Sequence, residues 1–113
     1  MAYTDLTYLK TITDGDSVII QEMKDLFITQ VPEFIENLNR LLKEGKYIEL
    51  GKEAHKAKSS VVIMGMEELG KDLKNLQLAT IAGTNRDTYA QYVKKFEVQC
   101  LGAVEELKND TAT

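Results

Sequence analysis

The segment Tyr47-Ile-Glu-Leu-Gly-Lys-Glu-Ala-His-Lys-Ala-Lys-Ser-Ser-Val-Val-Ile-Met-Gly65 decides how this chain is read. Tyr47, Leu50, Ala54, Ala57, Val61 and Met64 recur at intervals of three and four, the period of a helix with one apolar face. Gly65 is a natural terminator. His55, the only histidine, falls about 100° from Ala54, at the edge of that face and reachable by solvent. Gly51 and Ser59 lie one turn to either side of it, and Lys52 and Lys58 three residues to either side. An imidazole between two small residues, with two ammonium groups near, suits a histidine that carries an anionic group such as a phosphoryl. A lone histidine on an amphipathic helix is more often an ordinary surface residue, so the spacing by itself is weak support.

The helical period continues on both sides. Asp5 is placed to cap a short helix carrying Leu6, Leu9 and Ile12, and Thr13-Asp-Gly-Asp16 is a turn cluster. Asp16 or Ser17 then caps a long segment with Ile20, Met23, Phe27, Val31, Phe34, Ile35, Leu38, Leu41 and Leu42 on its apolar side. Pro32 predicts a kink there, or a break just before it. Gly45 ends the segment, with Lys43 and Lys46 suited to the negative end of the helix dipole. After Gly65, a helix from Glu67 or Glu68 runs through Leu69, Leu73, Leu76 and Ile81 to Gly83. A last one starts near Arg86 and reaches about Lys108, with Tyr89, Val93, Phe96, Cys100, Val104 and Leu107 inward and polar residues fraying from Asn109 on. No stretch reads as a paired strand, and the loops are short. The expected fold is all-α: an up-down antiparallel four-helix bundle with a short N-terminal helix capping one end.

Size and composition narrow the function. At 113 residues the chain reads as one domain over residues 1–113, with a modest core. A net charge of −4 without a basic run argues against nucleic acid, which demands a basic footprint. The single cysteine, Cys100, permits no internal disulfide and reads as buried packing in a reducing, cytoplasmic setting. The N-terminus lacks the pattern of a signal peptide, and the longest nearly apolar run, Val61 to Met66, is far too short to cross a bilayer.

Several chemistries fail on spacing. There is no Gly-rich loop ending in Gly-Lys-Ser/Thr, hence no evident nucleotide site and no means of self-phosphorylation from ATP. One His and one Cys far apart do not make a zinc centre, and paired Glu-x-x-His elements are missing. Asp14-Gly-Asp16 hints at a calcium loop, but Ile19 stands where the required glycine should be. His55 with Ser59 or Ser60 on one helix has no strained turn, oxyanion donors or orienting acid, so a hydrolase is disfavoured. Met23, Met64 and Met66 read as core filler.

The run His55-Lys-Ala-Lys58-Ser59-Ser60-Val-Val-Ile-Met-Gly65 resembles the signature of the histidine-containing phosphotransfer (HPt) domains: a histidine, a lysine three residues on, two small residues next, and a glycine ten after the histidine. The likeness extends from about Leu9 to Leu107, through Phe27 and Pro32, the apolar stretch to Leu42, Gly45-Lys-Tyr47 and Glu68-Leu69. It departs at Ser59, most often glycine in the family, at Ala57, where a larger aliphatic is common, and at Ile63, where a small or polar residue is common. The resemblance implies a phosphorelay carrier that is not itself a kinase. His55 would accept a phosphoryl from a receiver-domain aspartate and pass it to another receiver. Lys58 and Lys52 would offset the added charge, and Ser59 would bond the phosphoryl or keep the surface low. Partners would be response-regulator receiver domains and hybrid sensor kinases, with the protein a monomer and without a cofactor of its own; Mg²⁺ would sit on the receiver. A partner would dock over Ile48, Gly51, Lys52, Ser59 and Val62, with Gly65 structural. Two other readings stay open: a helical protein–protein interaction module in which His55 is inert, and a small enzyme using His55 as a general base, which would need a second titratable group converging on the ring.

Overall fold

In the computed structural model, residues 2–109 are described. Five α-helices follow in order: α1 Thr7–Ile12, α2 Ser17–Lys43, α3 Tyr47–Ile63, α4 Glu67–Ala82 and α5 Tyr89–Asn109, the last preceded by a 3-10 turn at Arg86–Thr88. Among the described residues no strand forms, and no helix is long and apolar enough to cross a membrane. Of the segment expected to fray from Asn109 on, Asn109 itself is the last residue of α5, and residues 110–113 lie outside those described.

Helix boundaries follow local chemistry. Asp16 caps α2, its Oδ1 accepting from the amides of Val18 and Ile19. Asp5, expected to cap α1, is not its N-cap: that place falls to Leu6, and Asp5 instead accepts from the hydroxyl and amide of Thr7, bonds that hold its carboxyl below the usual value. The α2–α3 turn bends at Gly45 (φ +71°) and the α3–α4 turn at Gly65 (φ +79°). At Gly65 a side chain is doubly excluded, because a Cβ would land on the backbone of Asp5, whose amide donates to the Met64 carbonyl at 3.0 Å. The N-terminal segment is thereby fastened across the α3–α4 turn. A second fastening lies on α5, where Glu106 accepts from the amides of Tyr3 and Thr4 at 2.7 and 2.9 Å.

The core is one apolar cluster drawn from every α-helix: Leu9 from α1, Phe27, Val31 and Leu38 from α2, Leu50, Ala54 and Val61 from α3, Leu69, Leu73 and Leu76 from α4, and Val93, Phe96 and Cys100 from α5. Helix α3 packs most extensively on α4, while α2 lies against both α3 and α5. Phe34 meets Phe96 edge-on at 6.3 Å, and Tyr47 meets Tyr89 likewise at 5.3 Å. The Tyr89 hydroxyl bridges to the carbonyls of Ala79 and Thr84 and holds the α4–α5 connection. Between α4 and α5, Lys95 Nζ lies 2.6 Å from Asp72 Oδ2, and that bond raises the ammonium above its ordinary value.

Four further expectations need correction. Helix α2 passes through Pro32 without a break. A mid-helix proline costs about 3 kcal/mol. Pro32 lies on the exposed side, and the buried Val31, Phe34 and Leu38 around it each contribute roughly 1.5–3 kcal/mol, enough to carry the helix past it. Ile81 does not face the core: it is 64% exposed and Thr80 is buried instead, since four residues on from Leu76 is position 80. Ile12 is exposed because six-residue α1 sends only Leu9 inward. On α5 Val104 is half-buried, and its neighbour Ala103 takes the inner position. A buried lysine, Lys24 on α2, was not expected from the pattern.

Candidate functional site

Helix α3 packs through Leu50, Ala54, Ala57 and Val61, and this phase presents His55 to solvent. The ring is not loose. Its Nδ1 lies 3.1 Å from Oε1 of Gln77 on α4. An amide oxygen only accepts, so this bond makes Nδ1 the protonated nitrogen and leaves the lone pair on Nε2. The site is thus an oriented imidazole with one nitrogen held and the other open.

The residues around His55 divide into two groups, and the helix net explains how. At about 100° per residue, Ile48, Ser59 and Lys52 project about 20°, 40° and 60° to one side of His55. All three are exposed. Val62, Gly51 and Lys58 project by similar angles to the other side, toward α4. Lys58 is half-buried, and Val62 is 36% exposed with its Cγ2 against Gly70. Gly51, expected on the docking surface, is buried under Thr80 and offers a partner nothing. Its small size serves the contact between helices. Neither Lys52 nor Lys58 is ion-paired among the described residues, so both ammonium groups can answer an anion on the ring.

The neighbouring polar groups of α3 are committed elsewhere. Glu53 accepts from Asn37 Nδ2 at 3.0 Å, and the Ser60 hydroxyl donates to Gln30 Oε1 at 3.0 Å, both toward α2. Ser60 is therefore a tie between helices, with Ser59 the serine beside the ring that faces solvent. Among the described residues no group of three or more His, Cys, Asp or Glu is arranged to hold a metal. Among the described residues the hydrogen-bond partner of the ring is the neutral amide of Gln77. Cys100, the single thiol, is buried, and burial pushes it up to about 12.

Gln77 is the site residue that sequence reasoning missed. It stands mid-helix on α4, one position past Leu76 at the edge of the apolar face, and only the pairing of α3 with α4 brings it to His55.

Comparison with known proteins agrees with this geometry. Neither the curated proteins nor the solved structures include a match to the chain. The family model of the Hpt domain matches residues 22–110, a span that begins within α2 and takes in α3, α4 and α5. Hpt domains serve histidine phosphotransfer in phosphorelays, working with receiver and kinase partners. An all-helical chain matched over most of its length, with one exposed and oriented histidine, belongs to the Hpt domain family.

Proposed function

We propose that this protein is a phosphohistidine carrier in a phosphorelay, taking a phosphoryl group onto His55 from a receiver-domain aspartate and giving it to another receiver. The observation that carries the reading is the His55–Gln77 bond at an exposed position, because it leaves Nε2 free. The Nε2 lone pair attacks phosphorus, the bond from phosphorus to the aspartyl oxygen breaks, and the carboxylate leaves with that electron pair. The ring keeps its Nδ1 proton and becomes cationic, a charge that the Gln77 carbonyl is placed to stabilise as acceptor. Lys58 and Lys52 offset the roughly −1.5 to −2 charge that a phosphoryl group brings, by analogy with phosphoserine. Phosphoryl transfer depends mainly on positioning and charge stabilisation, so this chain need supply little beyond the ring and its neighbours; Mg²⁺ and acidic ligands belong to the receiver. Exposed Ser59, small and one turn from the ring, leaves room for close approach, and Ile48, Lys52 and Val62 extend the docking face.

The same reading takes α2 to α5 as an up-down antiparallel bundle with α1 across one end. Contacts of opposite sense support it: Asn37 with Glu53 and Gln30 with Ser60, His55 with Gln77 and Val62 with Gly70, Asp72 with Lys95 and Ala79 with Tyr89.

The test is direct. Incubation with several phosphorylated receiver domains and magnesium should yield acid-labile, alkali-stable label on this protein and none on His55→Ala. Absence of transfer from every receiver, or label persisting in His55→Ala, would remove the proposal.

A further inference from the structure

The bond that orients His55 depends on how closely α4 approaches α3, and that approach is set one turn away. Gly51 lies one turn before His55 on α3, and Thr80 lies one turn after Gln77 on α4. The two meet. A Cβ at Gly51 would collide with Thr80 Oγ1, and would stand 3.2 Å from Thr80 Cβ and 3.5 Å from the Cα of Gln77 itself. Thr80 is 2% exposed, and its hydroxyl donates to the Gln77 carbonyl at 2.7 Å. So the residue filling the space that Gly51 leaves open also holds the backbone of the residue that orients the imidazole. On the far side of the pair, a Cβ at Gly70 would stand 2.7 Å from Val62 Cγ2, so a glycine makes room between the two helices there as well.

We propose that Gly51 and Thr80 are positioning residues for the phosphoryl-accepting histidine, holding Gln77 at the distance and phase that keep the Nδ1 proton engaged and Nε2 open. This rests on the reading of His55 as the carrier. A methyl group at position 51 strikes the Thr80 hydroxyl and crowds the Thr80 Cβ, so Thr80 must shift outward, and Gln77, whose carbonyl holds that hydroxyl, follows. Outward motion lengthens the His55–Gln77 bond first, because that bond lies one turn away and spans the same two helices. Interiors are close-packed, so a displacement of this kind is transmitted to neighbours and not absorbed in place.

A single histidine makes the test clean, because every imidazole signal belongs to His55. Nitrogen NMR of the ring reports which nitrogen carries the proton, without any receiver present. Gly51→Ala should reduce the population protonated at Nδ1 and slow receiver-dependent phosphorylation roughly tenfold, since sub-ångström misplacement of reacting groups is costly. Adding Thr80→Ala removes the hydroxyl that the new methyl strikes and should reverse most of both changes, leaving a smaller deficit from the lost bond to the Gln77 carbonyl. A merely structural role for Gly51 would lower the melting temperature and leave the ring signal alone. An unchanged ring signal in folded Gly51→Ala, or a change that Thr80→Ala does not reverse, overturns the proposal. If Gly51→Ala does not fold, the double variant decides: folding with Nδ1 still the mainly protonated nitrogen supports the proposal, and failure to fold overturns it. Should the parent protein accept no phosphoryl at all, the carrier reading fails, while the ring signals still report on the positioning contact.

Discussion

The chain holds one imidazole and one thiol, and the fold treats them in opposite ways. His55 on α3 stands in solvent with one nitrogen bonded to Gln77 and the other open. Cys100 on α5 is fully buried in the apolar core, its thiolate so disfavoured by burial that the thiol is pushed up to about 12. Both lie on amphipathic helices and differ by their angular place on them. Cys100 falls on the inner stripe with Val93, Phe96 and Leu107, whereas His55 falls just past the edge of the stripe formed by Leu50, Ala54 and Val61. A reactive group becomes usable when the helix turns it outward and a neighbouring helix supplies one orienting bond.

That contrast can be broken in four further places. Ser59→Phe puts a bulky ring one exposed turn from His55; phosphotransfer should fall by about 100-fold, with helicity by circular dichroism unchanged, since misplacement alone costs that much. Unchanged transfer would mean that no partner closes on this side of α3. Gln77→Leu removes the acceptor from the imidazole while keeping side-chain bulk. Transfer should slow by roughly tenfold at constant stability, in line with the general worth of one charge-stabilising contact. If the rate stays put, the orienting bond is ornamental and exposure alone distinguishes the histidine. Lys58→Ala should slow transfer several-fold, on the order of 1 kcal/mol, because a half-exposed ammonium is partly screened; the rates should be read beside thermal melts that do not shift.

Cys100→Ala should leave transfer rates as they are and change stability alone. The sign follows from the raised thiol. The folded state keeps it protonated, while the unfolded chain ionises near the ordinary value of 9.0. Stability is thus full below that value and declines as pH rises from there toward about 12. The slope is about 1.4 kcal/mol per pH unit. Denaturant unfolding of parent and Cys100→Ala over that range, compared so that tyrosine and lysine titrations cancel, should show the extra slope only in the parent. Equal slopes would mean that the thiol is not sealed, and alkylation of Cys100 in the native protein at neutral pH would say the same.

Much of this was legible in the chain. The inner stripe of α3, the cap at Asp16, the terminators Gly45 and Gly65, and the placing of His55 at the edge of an apolar face all follow from rules acting over one or two turns. Lys52, Lys58 and Ser59 around the ring follow from the same spacing. Errors came where a second helix votes. Gly51 reads as a neighbour of His55 equivalent to Ser59, but it projects to the side that α4 covers. Ile81 reads as the end of an apolar stripe, yet position 80 takes the inner place, and a threonine fits there because Gly51 leaves it room. Pro32 reads as a kink or a break, and the break does not form, because core packing on both sides carries α2 through it.

What the amino-acid order determined alone was the set of helices, their apolar faces and the outward position of one histidine, because periodicity and capping are local and need no partner. Which side of α3 would be roofed by α4, and hence that Gln77 would hold the imidazole while Gly51 disappeared beneath Thr80, was decided only when the helices packed. Residues 51 and 80, or 55 and 77, are strangers along the chain, and no local rule carries the register that makes them neighbours.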